Sequence, residues 1–151
     1  MALIYLTLEQ AIETHNKTVE VSGGGAMGQL NMGQLDSVLE NIQNDLYYPT
    51  IEDKLTHLFF GANKFHCFQD GNKRIALSLG AQFLLLNGYL FAANRFMREM
   101  ENISYHVAAG KITKELLCVI INELVNEDEL SESTQLAIFS AISNDDSDGQ
   151  V

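Results

Sequence analysis

Residues 65–80, "FHCFQDGNKRIALSLG", decide how this chain is read. The stretch begins as polar turn chemistry and becomes, from Asn72 on, an almost uninterrupted apolar segment. Ile75, Ala76, Leu77, Leu79, Ala81, Phe83, Leu84, Leu85 and Leu86 leave little polar surface for water, so the segment reads as a helix buried at the centre of a bundle. Its first turn is unusual. Lys73 and Arg74 sit where the helix carries partial positive charge, and each exposed cation there costs ~0.3–1 kcal/mol. An anion bound at that end reverses the sign. Gly71 followed by Asn72 turns backbone N–H groups outward at a helix start and lets a ligand approach closely. Arg74 can grip phosphate oxygens with a planar fork, and Lys73 adds a point charge.

Two further residues give the stretch chemical potential. Asp70 stands beside the anion site, and a hard divalent ion such as Mg²⁺ takes one or two carboxylates together with phosphate oxygens. His66 is the residue suited to removing a proton near neutral pH. A base, a metal carboxylate and a phosphate cradle suggest group transfer from a nucleotide to a hydroxyl. The same residues have a plainer reading. A histidine that ends a helix meets its C-terminal dipole, and "DGNK" is an ordinary turn sequence.

Outward from this stretch the periodicity is helical nearly everywhere. Thr7 and Gln10 have the spacing of a capping box, and Leu8, Ala11 and Ile12 follow on one face. "VSGGGAMG" at 21–28 is a glycine-rich loop. Leu35, Val38, Leu39 and Ile42 recur at helix spacing. Pro49 ends that pattern, and Thr50 caps a third helix over 51–64 with Leu55, Leu58, Phe59 and Ala62 inward. Asn87 and Gly88 stop the central helix. "YLFAA" then reads as a short extended connector, with Asn94 capping a fifth helix that ends near Gly110. Thr113 and Ser131 cap a sixth and a seventh, and "SNDDSDGQV" reads as disordered. The fold class is therefore all-α, six to seven helices around one buried helix, without strands. Met27, Met32, Met97 and Met100 read as core fillers, and His15, His57 and His106 as structural or surface residues.

Composition bounds the partners. The 151 residues carry a formal charge of −11, which argues against nonspecific binding to nucleic acid. No Lys or Arg follows Lys114, and the acidity concentrates from Glu127 onward. The apolar runs are too short to span a bilayer, and the first residues lack a basic segment, so the expectation is a cytoplasmic protein. Cys67 and Cys118 have no metal or redox spacing and read as free thiols.

"HCFQDGNKR" resembles the signature of the Fic/Doc family, written HPFxDGNxR, and departs from its constrained positions only at Cys67. The resemblance extends from about Leu6 to Leu124 through the glycine-rich loop, "FLLLNGY" and "AAGKIT". It implies an all-α bundle over 1–128; beyond that core, at 129–151, the residues themselves read as an acidic C-terminal helix and a disordered tail. It implies that His66 is the general base that deprotonates a hydroxyl of a target protein. Phe68 would plug the loop into the core, and Asp70 would hold the metal ion. Gly71, Asn72, Lys73 and Arg74 would bind the nucleotide phosphates. Tyr47 and Tyr48 fall where the family places a flap that aligns the target peptide, although plain loop anchoring fits them equally.

The AMP-transferring branch has glycine where this chain has Lys73 and a second arginine where it has Leu77. The "GNKR" form is similar to the Doc, or death-on-curing, branch. Those are toxins of toxin–antitoxin pairs that phosphorylate elongation factor Tu and arrest translation. The resemblance thus implies ATP as phosphoryl donor, Mg²⁺, a cognate antitoxin and elongation factor Tu as target. AMP transfer and a catalytically idle interaction module remain as alternatives. Cys67 replaces a stiffening proline, which bears on loop rigidity. The self-inhibiting pattern [ST]xxxE[GN] has no match, since "SVLEN" at 37–41 is one residue short, in keeping with inhibition by a separate antitoxin.

Overall fold

The computed structural model describes residues 2–21, 32–64 and 72–148. They form seven helices: α1 (Leu8–Val21), α2 (Met32–Asn41), α3 (Ile51–Lys64), α4 (Asn72–Leu86), α5 (Leu90–Ala108), α6 (Lys114–Asn126) and α7 (Glu132–Asp148). No strand occurs among the described residues, and no described helix is long and apolar enough to cross a membrane. The all-α expectation holds.

Side-chain caps set most helix starts. Gln10 N donates to Thr7 Oγ1 at 3.1 Å while Thr7 N donates to Gln10 Oε1 at 2.9 Å, a reciprocal capping box. Thr50, Thr113 and Ser131 each accept from the backbone N–H three residues on, at 3.1, 3.1 and 3.2 Å. Each such cap contributes ~0.5–2 kcal/mol. The start of α5 differs from expectation. Gly88 adopts φ 87°, and its N–H and that of Tyr89 close onto Leu85 O and Leu84 O. The turn is then complete. Tyr89 O already accepts from Ala93 N, so α5 begins at Leu90 and "YLFAA" is not an extended connector. Tyr89 makes no side-chain cap, which is why no sequence signal marks the boundary.

The centre is a pair of helices. α3 packs against α2, α4, α5 and α6, and α4 packs against α1, α3 and α5. Phe59, Phe83 and Phe96 are fully buried there, each contributing on the order of 1.5–3 kcal/mol by leaving water. Met100 joins this core, but Met97 is 44% exposed and does not fill it, because the face of α5 that carries Ala93, Phe96 and Met100 turns Met97 outward. Where α4 crosses α5 a glycine is required. A Cβ at Gly80 would lie 2.5 Å from Phe96 Cζ.

Buried polar groups tie helix ends together. Lys54 Nζ donates to Ile42 O and to Asp45 Oδ1, both at 2.7 Å, closing the turn after α2. The buried Arg95 donates to Leu124 O at 3.0 Å and to Glu127 O, satisfying the end of α6. Asn87 uses its amide as a second peptide group. Oδ1 accepts from Ile4 N at 2.7 Å and Nδ2 donates to Ile4 O at 2.9 Å.

α7 is held on α6 through Glu123, whose carboxylate accepts from Thr134 Oγ1 at 2.5 Å and from Ser131 N at 2.6 Å. The Thr134 bond, and then the Ser131 backbone bond, hold its carboxyl below the usual range. The helix runs on to Asp148, past Ser143 where the sequence suggests disorder. No glycine or proline interrupts it before Gly149.

Candidate functional site

The signature straddles the gap between α3 and α4. His66, Cys67, Phe68, Asp70 and Gly71 lie outside the described residues, as does the glycine-rich loop at 22–28 with Met27. Asn72 enters as the first residue of α4, followed by Lys73, exposed, and Arg74, half-buried. Both cations therefore stand in the first turn of an apolar helix, as the spacing predicts.

The end of α3 and the start of α4, on either side of residues 65–71, both approach one residue of α5. Ser104 is fully buried, and its Oγ lies 2.8 Å from Asn63 Oδ1 near the end of α3 and 3.2 Å from the carbonyl of Lys73 at the start of α4. The hydroxyl has one proton to give, and the nearer Asn63 oxygen is the better acceptor. Asn63, 1% exposed, donates in turn to Phe59 O at 3.0 Å. This buried chain of polar groups bonds the end of α3 to α5, and the start of α4 packs on the same hydroxyl. Sequence reading missed it. The only trace is a serine at core spacing among Met100, Ile103 and Val107.

Beside the cations opens a cavity of ≈ 490 Å³. Lys73, Arg74 and Leu77 line it from α4, and Arg98, Glu99, Asn102 and Tyr105 are among its residues from α5. Its size falls in the range of small-molecule sites. Cationic side chains at a helix N-terminus and a cavity beside them form an arrangement that attracts and orients a polyanion. Leu77 is 7% exposed, so one turn into α4 that wall becomes apolar.

The remaining histidines do other work. His57 Nδ1 takes up Lys114 Nζ at 2.8 Å and Tyr48 Oη at 3.2 Å. Burial, and then the Lys114 cation, push its pKa down to about 4, so it is neutral near neutral pH. Burial likewise lowers the Lys114 amine. The Tyr48 ring stacks on His57 with centroids 4.6 Å apart, so Tyr48 anchors its loop, while Tyr47 is exposed. His15 is buried, and His106 meets the Tyr105 ring edge-on at 5.2 Å. Cys118 is a free thiol. Among the described residues no group of three His, Cys, Asp or Glu side chains could hold a metal ion.

Comparison with known proteins completes the site's description. The model of the "Fic/DOC family" matches residues 5–84, a span that holds α1 to α3, the signature and most of α4. The chain is also 30% identical, over 92 residues, to a protein called "Toxin Doc" from Mycolicibacterium smegmatis, an alignment that covers 58% of this chain and 71% of that protein.

Proposed function

The chain belongs to the Fic/Doc family, and we propose that it is a toxin that transfers a phosphoryl group from ATP to a hydroxyl of a target protein. The observation that carries this reading is the pair Lys73 and Arg74 in the first turn of α4, bordering the ≈ 490 Å³ cavity. The family makes it a nucleotide-dependent protein-modifying transferase. The "GNKR" form of the signature favours phosphoryl over AMP transfer.

In this reading Arg74 and Lys73 hold the phosphates, and backbone N–H groups of Gly71 and Asn72 would complete the cradle. His66 takes the proton of the incoming hydroxyl as that oxygen attacks phosphorus and the nucleoside diphosphate leaves. Asp70 would hold Mg²⁺ together with phosphate oxygens, and the ion would neutralise charge on the triphosphate. Phosphoryl transfer passes through a loose transition state, so the protein contributes mainly position and charge. The Ser104 brace supports this by bonding the α3 end before the segment that carries His66 and Asp70 and packing against the α4 start after it. Phe68 would seat that segment in the core. A cognate antitoxin and elongation factor Tu are the partners this reading names.

Intact-mass analysis of candidate targets, elongation factor Tu first, after incubation with the protein, ATP and Mg²⁺ tests it. Added phosphate supports the reading. Added AMP replaces it with adenylyl transfer. An unchanged mass for every candidate, together with no growth arrest on expression without antitoxin, would reduce the chain to an interaction module. His66→Ala should fold and bind nucleotide but lose ~10²–10⁴ of the transfer rate. A His66→Ala protein that still arrests growth would remove His66 from the mechanism.

A further inference from the structure

We propose that Arg98, on α5, is a third phosphate-binding cation of this site, gripping the polyphosphate tail of the nucleotide from the wall opposite Lys73 and Arg74. The proposal rests on the reading of the cavity as a nucleotide site. Three observations carry it.

The first is placement. Arg98, Asn102 and Tyr105 are spaced by four and three residues, so they share one face of α5, and all three line the cavity that Lys73 and Arg74 line from α4. The second is the state of its charge. Arg98 Nη2 lies 3.8 Å from Glu99 Oε2, too far for a hydrogen bond, and that same carboxylate oxygen already accepts from Arg95 Nε at 2.7 Å. Arg95 is buried and held by the carbonyls at the end of α6, so Glu99 is committed to it. The side chain of Arg98 is 69% exposed, so its guanidinium remains able to turn toward a ligand.

The third is what the other wall lacks. Past Lys73 and Arg74 the α4 wall offers buried Leu77, which supplies no charge to a phosphate chain that extends beyond the first turn. Arg98 supplies it across the groove. Glu101 also lines the cavity. That carboxylate and Glu99 repel a triphosphate more strongly than a monophosphate, so the opposing cation of Arg98 matters most to the ligand with the longer phosphate chain. Arg98 is thus a determinant of how much the site prefers nucleoside triphosphate over monophosphate.

The test is calorimetric titration of ATP and of AMP, each with Mg²⁺, into the full chain and its Arg98→Ala, Arg98→Lys and Arg74→Ala variants. Arg98→Ala should weaken ATP about tenfold, the loss of one charge-assisted contact, and leave AMP within about twofold. Arg98→Lys should recover part of the ATP affinity, because the charge returns without the fork. If Arg74→Ala loses ATP binding and Arg98→Ala does not, the inference fails and the nucleotide site stands. Equal losses for ATP and AMP in Arg98→Ala would also overturn it, since the residue would then act on the fold or the nucleoside. If neither variant changes ATP affinity, the nucleotide lies elsewhere and the inference falls with the reading beneath it.

Discussion

Replacing Gly80 with alanine sets two known effects against each other at the centre of the bundle. Alanine is a better helix former than glycine by about 0.8–1 kcal/mol, which favours the variant. Against this, the new Cβ would lie 2.5 and 2.6 Å from two atoms of the Phe96 ring and 3.3 Å from Leu55 Cδ1. Carbon atoms prefer separations of about 3.5–4.0 Å, so the ring or the helix must move by about an ångström. The ring has little room. Phe96 is fully buried and meets Phe59 edge-on, with centroids 5.2 Å apart. Overpacking of this kind costs about 1–3 kcal/mol. The steric term should win, leaving a net loss of up to about 2 kcal/mol. At ~2–4 °C per kcal/mol for a chain of this size, the melting temperature should fall by several degrees. Thermal and urea denaturation measure it. The same substitution in a Phe96→Leu background, where the ring is gone, should be neutral or stabilising, so the paired variants separate the clash from the propensity. Nucleotide affinity should also drop in Gly80→Ala, because the α4–α5 spacing sets the separation of the cavity's walls. A Gly80→Ala protein that melts higher than wild type would refute the packing argument.

Ser104→Ala should destabilise the fold by about 1–3 kcal/mol by leaving Asn63 Oδ1 buried without its donor, and it should slow transfer to the target. Unchanged melting and unchanged turnover would show that the brace does nothing. His57 has a folded-state pKa of about 4 against an ordinary 6.5, so its contribution is complete above pH 6.5 and is lost as pH falls toward 4. His57→Gln should therefore lose less stability than wild type between pH 7 and pH 4.5, and parallel pH profiles would contradict the assignment. Truncation after Asp128 removes Ser131 and Thr134, the donors that Glu123 holds. It should lower the melting temperature with little change in nucleotide affinity, whereas a salt-sensitive gain in affinity would mean that the acidic segment competes with phosphate.

The parts of this molecule that are local in sequence are the parts that could be read from it. Thr7 with Gln10, Thr50, Thr113 and Ser131 cap the expected helices because a cap and its N–H lie within three residues of each other. The signature is contiguous, so Lys73 and Arg74 could be assigned to one helix start, while the roles of His66, Phe68, Asp70 and Gly71 rest on the motif alone. The reading fails where a neighbour distant in sequence decides. Met97 has the composition of a core residue and the wrong face of α5. Tyr89 starts a helix through its carbonyl alone. Ser104 and Arg98 acquire their positions from the crossing of α5 with α3 and α4, which no short window contains.

The amide of Asn87 that holds Ile4 has a consequence for the order in which the chain assembles. Ile4 is synthesised before its partner, which lies 83 residues later. At the usual rate of synthesis, about 5–20 residues per second, Ile4 waits on the order of 4–17 s before the side chain that pairs with its backbone exists. α1 can close its own capping box during that time, since Thr7 and Gln10 need no one else. The segment ahead of it cannot dock, and it stays open to any nascent-chain factor until the central helix has been made.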